Sequence, residues 1–434
     1  MNTIEEEVQQ LRSKTESLRH EKRNLIVFAA NQIFMRLGWI FKTESVVMPG
    51  FLDVYTLSGV IRGFLPLISR IGQSIPQILI AHRVAKMPKK RIVFILSAFG
   101  ITLPWLVLAL TLELGHWSNN TIVAIFLTLY GLHWLTYGSN VLAHGTLQGK
   151  LIRPRRRGRL LAYASLIGCT LAIIIVWLVM PHWVRGNNAN YAWIFGTTGM
   201  FFGFAACSSL FFREPPDDHS PQTVPFLKYL SSGLMLLRYD RNFRTLAIVL
   251  MLFYTGWPIF PHYTIFGKRT LGLVSRNFVT LLIAQNTVSG LGALVMGNIA
   301  DRHGNRIVLR VLIFIAACVP LLAVGLSRLP MGAHWYWLVY ACLGFTPVSG
   351  RILTNYTLEI SPQAKHPQYL GLLSVLQTVP LLGSPVVGLL IDQFSFESVF
   401  IVCSILVFCG FLLTFRLVEP RFASVVQSGG TESS

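Results

Sequence analysis

Charge is what this sequence has least of. Only 13% of its 434 residues are Asp, Glu, Lys or Arg, and 53% are apolar, against about 25% charged in an ordinary soluble domain. So few charged side chains cannot cover a water-facing surface of this size, which excludes a pair of soluble domains. Acidic residues are scarcer still: 18 Asp and Glu against 37 Lys and Arg, a formal net charge of +19. An excess of this sign suggests nucleic acid, but zinc-ligand spacing, basic–aromatic interleaving and a recognition-helix pattern are all missing. No nucleic-acid partner is expected. The six cysteines (Cys169, Cys207, Cys318, Cys342, Cys403, Cys409) lie within apolar stretches without C-x-x-C spacing. They read as buried small hydrophobes rather than disulfides or metal ligands. The sequence also lacks a nucleophile elbow, a metal pair and a phosphate loop, so an enzyme is the least expected class. No metal or cofactor is called for.

What the chain has instead is oily runs. Apolar stretches that approach the roughly 20 residues needed to cross a bilayer core recur throughout. Twelve spans are expected, near 24–47, 56–82, 91–113, 120–145, 158–180, 191–212, 244–267, 276–299, 306–327, 335–357, 367–391 and 396–416. The second, fourth, eighth and tenth are the least apolar. The longest interior polar stretch, Arg213 to about Arg241, falls between spans six and seven, and its part VPFLKYLSSGLMLLRY suits an interfacial helix. Two groups of six are therefore expected, at 24–212 and 244–418, joined by a cytoplasmic linker at 213–243. Residues 1–23 are polar, with Ile4, Val8, Leu11, Thr15 and Leu18 at spacings of four and three; they suit a short amphipathic surface helix and show no signal-peptide pattern. The tail at 419–434, Ser- and Gly-rich from Ser424, is expected to be disordered.

Topology follows from the basic residues. With alternating spans and a cytoplasmic start, cytoplasmic segments hold 27 Lys and Arg, the opposite side holds 6, and 4 remain within spans. The clusters RVAKMPKKR after span two and RPRRRGR after span four fall on the same side. Membrane insertion retains such loops in the cytoplasm, so the reading is an integral protein of the cell (inner) membrane with both termini cytoplasmic. A weak repeat links the halves: Tyr130, Ser139, Leu142, Thr146 and Leu147 around span four correspond to Tyr340, Ser349, Leu353, Thr357 and Leu358 around span ten.

After span eight the chain reads GNIADRHGNRIVLR. This resembles the loop signature of the major facilitator superfamily, Gly-x-x-x-Asp-Arg-x-Gly-x-Arg, at Gly297, Asp301, Arg302, Gly304 and Arg306. The resemblance covers about residues 24–418 and implies the all-α fold of that family: twelve transmembrane helices in two pseudo-symmetric six-helix bundles, a monomeric secondary transporter working by alternating access. It further implies a latch in which Asp301 meets the start of span five near Gly158, while Arg302 and Arg306 pair with that carboxylate or with carbonyls. The first half departs from the pattern. QILIAHRVAKMPKKR puts His82 and Arg83 where Asp and Arg are expected and lacks the loop glycine, so the two halves should be latched unequally. The Gly-Pro signature of drug–proton antiporters is absent from span five. Span eleven carries LLGSPVVGLL (Gly383, Pro385, Gly388), similar to hinge segments of the family.

Ionisable groups inside a span are costly and therefore functional candidates. Arg36 and Arg70 each lie about twelve residues, about 18 Å, from a cytoplasmic span end. Arg62 lies nearer the opposite surface, where snorkelling is expected. Arg351 sits roughly two turns from the inner end. Polar companions for a solute cavity include His133, Asn140, Gln285, Asn286 and Gln377. No Asp or Glu falls at mid-span, so the cavity favours an anionic or polyhydroxylated solute, and proton coupling, where it exists, falls to His133 or His262. The rivals are an exporter of hydrophobic compounds and a transporter-like sensor, with residues 1–23 and 213–241 as partner segments.

Overall fold

The computed structural model describes residues 19–186, 188–216, 235–362 and 365–419. Helix dominates, and one or two helices fall on each of the twelve apolar stretches. They are α1 (Glu21–Ile40), α2 (Val47–Tyr55), α3 (Gly59–Lys86), α4 (Arg91–Leu114), α5 (Asn119–Leu151), α6 (Pro154–Trp183) and α7 (Tyr191–Ser209). A two-stranded ribbon, β1 (Val184–Arg185) with β2 (Asn188–Ala189), joins α6 to α7. Then follow α8 (Arg241–Tyr254), α9 (Phe260–Leu271), α10 (Phe278–His303), α11 (Asn305–Ser327), α12 (Gly332–Trp335), α13 (Trp337–Leu343), α14 (Thr346–Ile360), α15 (His366–Leu382), α16 (Ser384–Gln393) and α17 (Phe396–Leu413).

Seven stretches among the described residues are long and apolar enough to cross a membrane. Others fall short for readable reasons. Span seven breaks between α8 and α9, where Gly256 and Pro258 interrupt the hydrogen-bond ladder. Span ten breaks at Gly344, just before Pro347 opens α14. Span two carries Arg62 and Arg70. Span one ends as helix at Ile40, and the chain turns before α2.

The contacts divide the described chain into two compact units, 19–43, 54–56 and 68–216 in one, and 44–53, 57–67 and 235–419 in the other. The division is not the simple cut at 213–243: α2 and the first third of α3 pack with the later helices. In the first unit α4 lies against α5 and α7, and α1 against α6 and α7. In the second, α17 packs on α8 and α11, and α10 on α13, around a core that includes Phe243, Leu246, Leu309, Leu312, Tyr356 and Leu373. Large apolar side chains turn outward on α4, α7 and α17, among them Leu96, Phe204 and Ile405. Such faces suit hydrocarbon and not water. The cysteines are free thiols; Cys207 and Cys409 are exposed on these faces rather than buried. Most of the amphipathic segment, the linker and the tail lie outside the described residues.

Candidate functional site

The first unit holds its polar groups on α1, α3 and α5. Arg36 and Arg70 are half-buried, and the Arg36 stem lies against Gly168 of α6. Gln32 reaches His144, Nε2 to Nε2, at 3.4 Å. Gly138 lets the backbone of Gln73 approach α5, where any Cβ would collide with it. Asn140 is committed elsewhere, donating to the Phe94 carbonyl (3.2 Å) and Ser97 Oγ (3.0 Å), which ties α5 to α4. His133 is fully buried, and its Nδ1 accepts from Trp105 Nε1 at 2.9 Å.

Beside that imidazole lies a group that the sequence did not single out. Lys42 is fully buried. Its ammonium stands 3.6 Å over Trp39, with Trp134, Trp105 and Tyr130 at 4.6, 5.5 and 5.9 Å. Four ring faces turn negative quadrupoles toward one cation, which offsets part of its desolvation. The repeat tyrosines occupy comparable posts. Tyr130 walls this cage in the first unit. Tyr340 in the second donates to the Ser45 carbonyl (3.3 Å) and contacts Thr264 Oγ1 at 2.6 Å.

In the second unit, the helix ends opposite the basic connectors form a charged and tightly packed cluster. Lys268 Nζ lies 2.5 Å from Asp53 Oδ2, and Arg269 and Arg62 each lie 3.9 Å from its other oxygen. Arg62 is fully buried and donates to the Leu57 carbonyl at 2.9 Å. The expected snorkelling does not occur, because a carboxylate and a carbonyl lie within the protein. Asp392 accepts from the Gly59 amide at 2.6 Å. Gly59 and Gly388 bring α3 and α16 into backbone contact, and a Cβ on Gly388 would overlap the Gly59 carbonyl. Gln285, a cavity candidate, accepts from Ser45 Oγ at 2.7 Å and so joins this packed cluster. His262 is fully buried nearby, and neither ring nitrogen has a hydrogen-bond partner among the described residues.

Elsewhere in the second unit, Asn286 is buried and donates to the Leu282 carbonyl of its own helix (2.9 Å), and Gln377 is buried on α15. Arg351 is exposed, on one stripe of α14 with Pro347 and Asn355, whereas Val348, Ile352 and Tyr356 bury the opposite face. Arg36, Arg70, His133 and Asn140 thus belong to one unit, and Gln285, Asn286, Arg351 and Gln377 to the other.

At the basic end of the second unit the loop signature is closed by a residue outside it. Gly304 adopts φ +88° between α10 and α11, a conformation that only glycine adopts easily. Arg306 pairs with Glu419 (3.5 Å) and donates to the Leu417 carbonyl (2.9 Å). Gly297 is half-buried, and Asp301 and Arg302 are exposed. The first unit uses the same device. Glu214 accepts from the amides of Lys90 (3.1 Å) and Arg91 (2.7 Å) at the start of α4, and pairs with Lys150 at 3.0 Å. Glu214 and Glu419 each follow the last helix of a half and precede a proline. This Glu-Pro correspondence is a sequence signal that went unread. Arg83 is exposed; the His82 side chain lies outside the described residues.

Helices with lipid-suited faces, most charges at their ends and a few arginines and polar groups within the spans define a polytopic membrane protein. Residues 41–379 match the Major Facilitator Superfamily, and the chain belongs to that family; the twelve-span fold follows. No curated protein sequence matches it. Three solved structures illustrate the fold. A D-xylose–proton symporter superposes with a TM-score of 0.68 at 14% identity, covering 91% of this chain and 98% of that one. The nucleoside transporter NupG gives 0.63 at 13%, covering 92% and 99%. The human organic anion transporter TETRAN gives 0.58 at 15%, covering 91% and 99%.

Proposed function

We propose that this protein is a secondary active transporter of a small anionic or polar solute, working by alternating access in the cell membrane with both termini cytoplasmic. The observation that carries the reading is the placement of Arg351. Its guanidinium is exposed on α14 beside Asn355, and an uncompensated charge at this depth is costly against hydrocarbon. It therefore requires a water-filled path or a polar partner. Arg36 and Arg70 stand half-buried within spans one and two of the first unit. Arg36, Arg70 and Arg351, with no mid-span carboxylate in the sequence, select for negative charge or for hydroxyl-rich solutes. The similar structures include carriers of a sugar, a nucleoside and organic anions, which agrees with this range. The Asp53–Lys268 and Gly59–Gly388 contacts supply a closure that opening must break.

The aromatic crevice lined by Phe253, Trp257, Phe260 and Tyr263 has a volume of about 30 Å³. That is room for no more than a few waters, so this crevice by itself lends no support to an exporter of bulky hydrophobic compounds. The test is a thermal-shift screen of the purified protein against carboxylates, phosphate esters, sugars and lipophilic cations, with Arg70→Ala in parallel. Anionic or polyhydroxylated compounds should stabilise the parent and not the variant. Stabilisation by lipophilic cations alone would overturn the reading.

A further inference from the structure

The connector after span four is far more basic than topology needs, and its arginines do different work. Glu21, itself buried, takes Arg153 (3.4 Å) and Arg156 (3.1 Å). Arg157 closes the preceding helix by donating to the Ile152 and Gly149 carbonyls at 2.8 and 2.6 Å. Arg155 and Arg159 remain exposed, and among the described residues neither side chain makes a hydrogen bond or ion pair. Their spacing of four puts them on one stripe of α6. That stripe continues through Tyr163, Leu166, Thr170, Ile174 and Trp177, all exposed, the last at 63%. Ala164, Ala172, Val176 and Met180 bury the opposite face.

We propose that Arg155, Arg159 and Tyr163 form a binding site for a phospholipid with a net negative headgroup, in the leaflet at the basic end. Two guanidiniums one turn apart repel each other until an anion lies between them, and their planar forks match phosphate oxygens. Tyr163, one turn deeper, falls at the level where aromatic rings meet the ester region of a bilayer. Leu166 and Ile174 below it meet the acyl chains. A zwitterionic headgroup brings its own cation and neutralises the pair poorly, so the site discriminates by net charge. The inside-positive bias explains why arginines occur in this connector. It does not explain why the two left over share a stripe with the apolar surface. The inference rests on the membrane-spanning assignment and is independent of which solute is carried.

The experiment is native mass spectrometry of the full chain titrated with dioleoylphosphatidylglycerol or dioleoylphosphatidylcholine. The parent should retain phosphatidylglycerol at least fivefold better than phosphatidylcholine, and 10 mM inorganic phosphate should not displace it. Arg155→Gln/Arg159→Gln should lower the preference to about one, while Lys86→Gln/Lys89→Gln in the connector after span two should keep it. Equal retention of the two lipids by the parent, an unchanged preference in the double variant, or displacement by free phosphate would overturn the proposal. If the double variant does not purify as a folded monomer, Arg159→Gln alone should halve the preference. No change in that variant counts against the site in the same way.

Discussion

Lys42 places its ammonium 3.6 Å above the indole of Trp39, three residues back along the chain. The Lys42 amide also donates to the Trp39 carbonyl at 3.3 Å. One residue thus holds the frayed end of α1 twice, once through its backbone and once through its charge. Nothing local in the sequence specifies this, because the remaining walls of the cage come from α4 and α5.

We predict that Lys42→Ala empties the cage and destabilises the first unit. A desolvated cation–π contact is worth about 2 kcal/mol, and such a loss lowers Tm by roughly 4–8 °C in a unit of this size. Butylammonium should raise the Tm of Lys42→Ala and leave the parent unmoved. A variant that melts with the parent and ignores the amine would show that the cage does not hold the helix end. Differential scanning fluorimetry reads both.

Gly388→Val should disrupt the crossing of α16 with α3, since its Cβ has no space against the Gly59 carbonyl. In a background with all six cysteines replaced by serine, Ser58→Cys should react with an impermeant maleimide at least several-fold faster once Gly388→Val is added. Asp53→Asn, which removes the carboxylate from Lys268, Arg62 and Arg269, should act in the same direction more weakly. Unchanged labelling in both variants would mean that this end does not open by that crossing.

Glu214→Gln and Glu419→Gln should each cost about 1–3 kcal/mol, the range for removing a charged partner from buried donors. Glu214 accepts two amides and Lys150, whereas Glu419 pairs with one arginine, so the first substitution should lower Tm more. Equal losses, or a larger loss at Glu419, would contradict the ranking. Because the two carboxylates share none of these partners, the double variant should show nearly additive shifts.

Arg36→Ala and Arg70→Ala should abolish accumulation of whichever solute the thermal-shift screen identifies, with membrane expression intact. Arg351→Lys should retain partial transport and Arg351→Gln should lose at least tenfold. Normal uptake of the radiolabelled solute by Arg70→Ala removes that residue from the site.

Hydropathy is a sum over neighbours along the chain, and for that reason the sequence alone determined the solvent of this protein and the number of its spans. The loop from Gly297 to Arg306 was equally legible, because its spacing is local. The tertiary structure decided which charges meet. Arg62 lies buried instead of reaching for the surface, because Asp53 comes to it from another helix. Lys42 is enclosed by rings contributed from three helices. Gln285 and Asn140, read from the sequence as cavity groups, are held by Ser45 and by α4. Glu214 caps the first turn of α4 and Glu419 pairs with Arg306 of α11, partners that the Glu-Pro dipeptides by themselves do not name. These ion pairs join residues that stand on different helices or loops, from Asp53 with Arg62 to Asp53 with Lys268, and no local property of the chain encodes the distances between them.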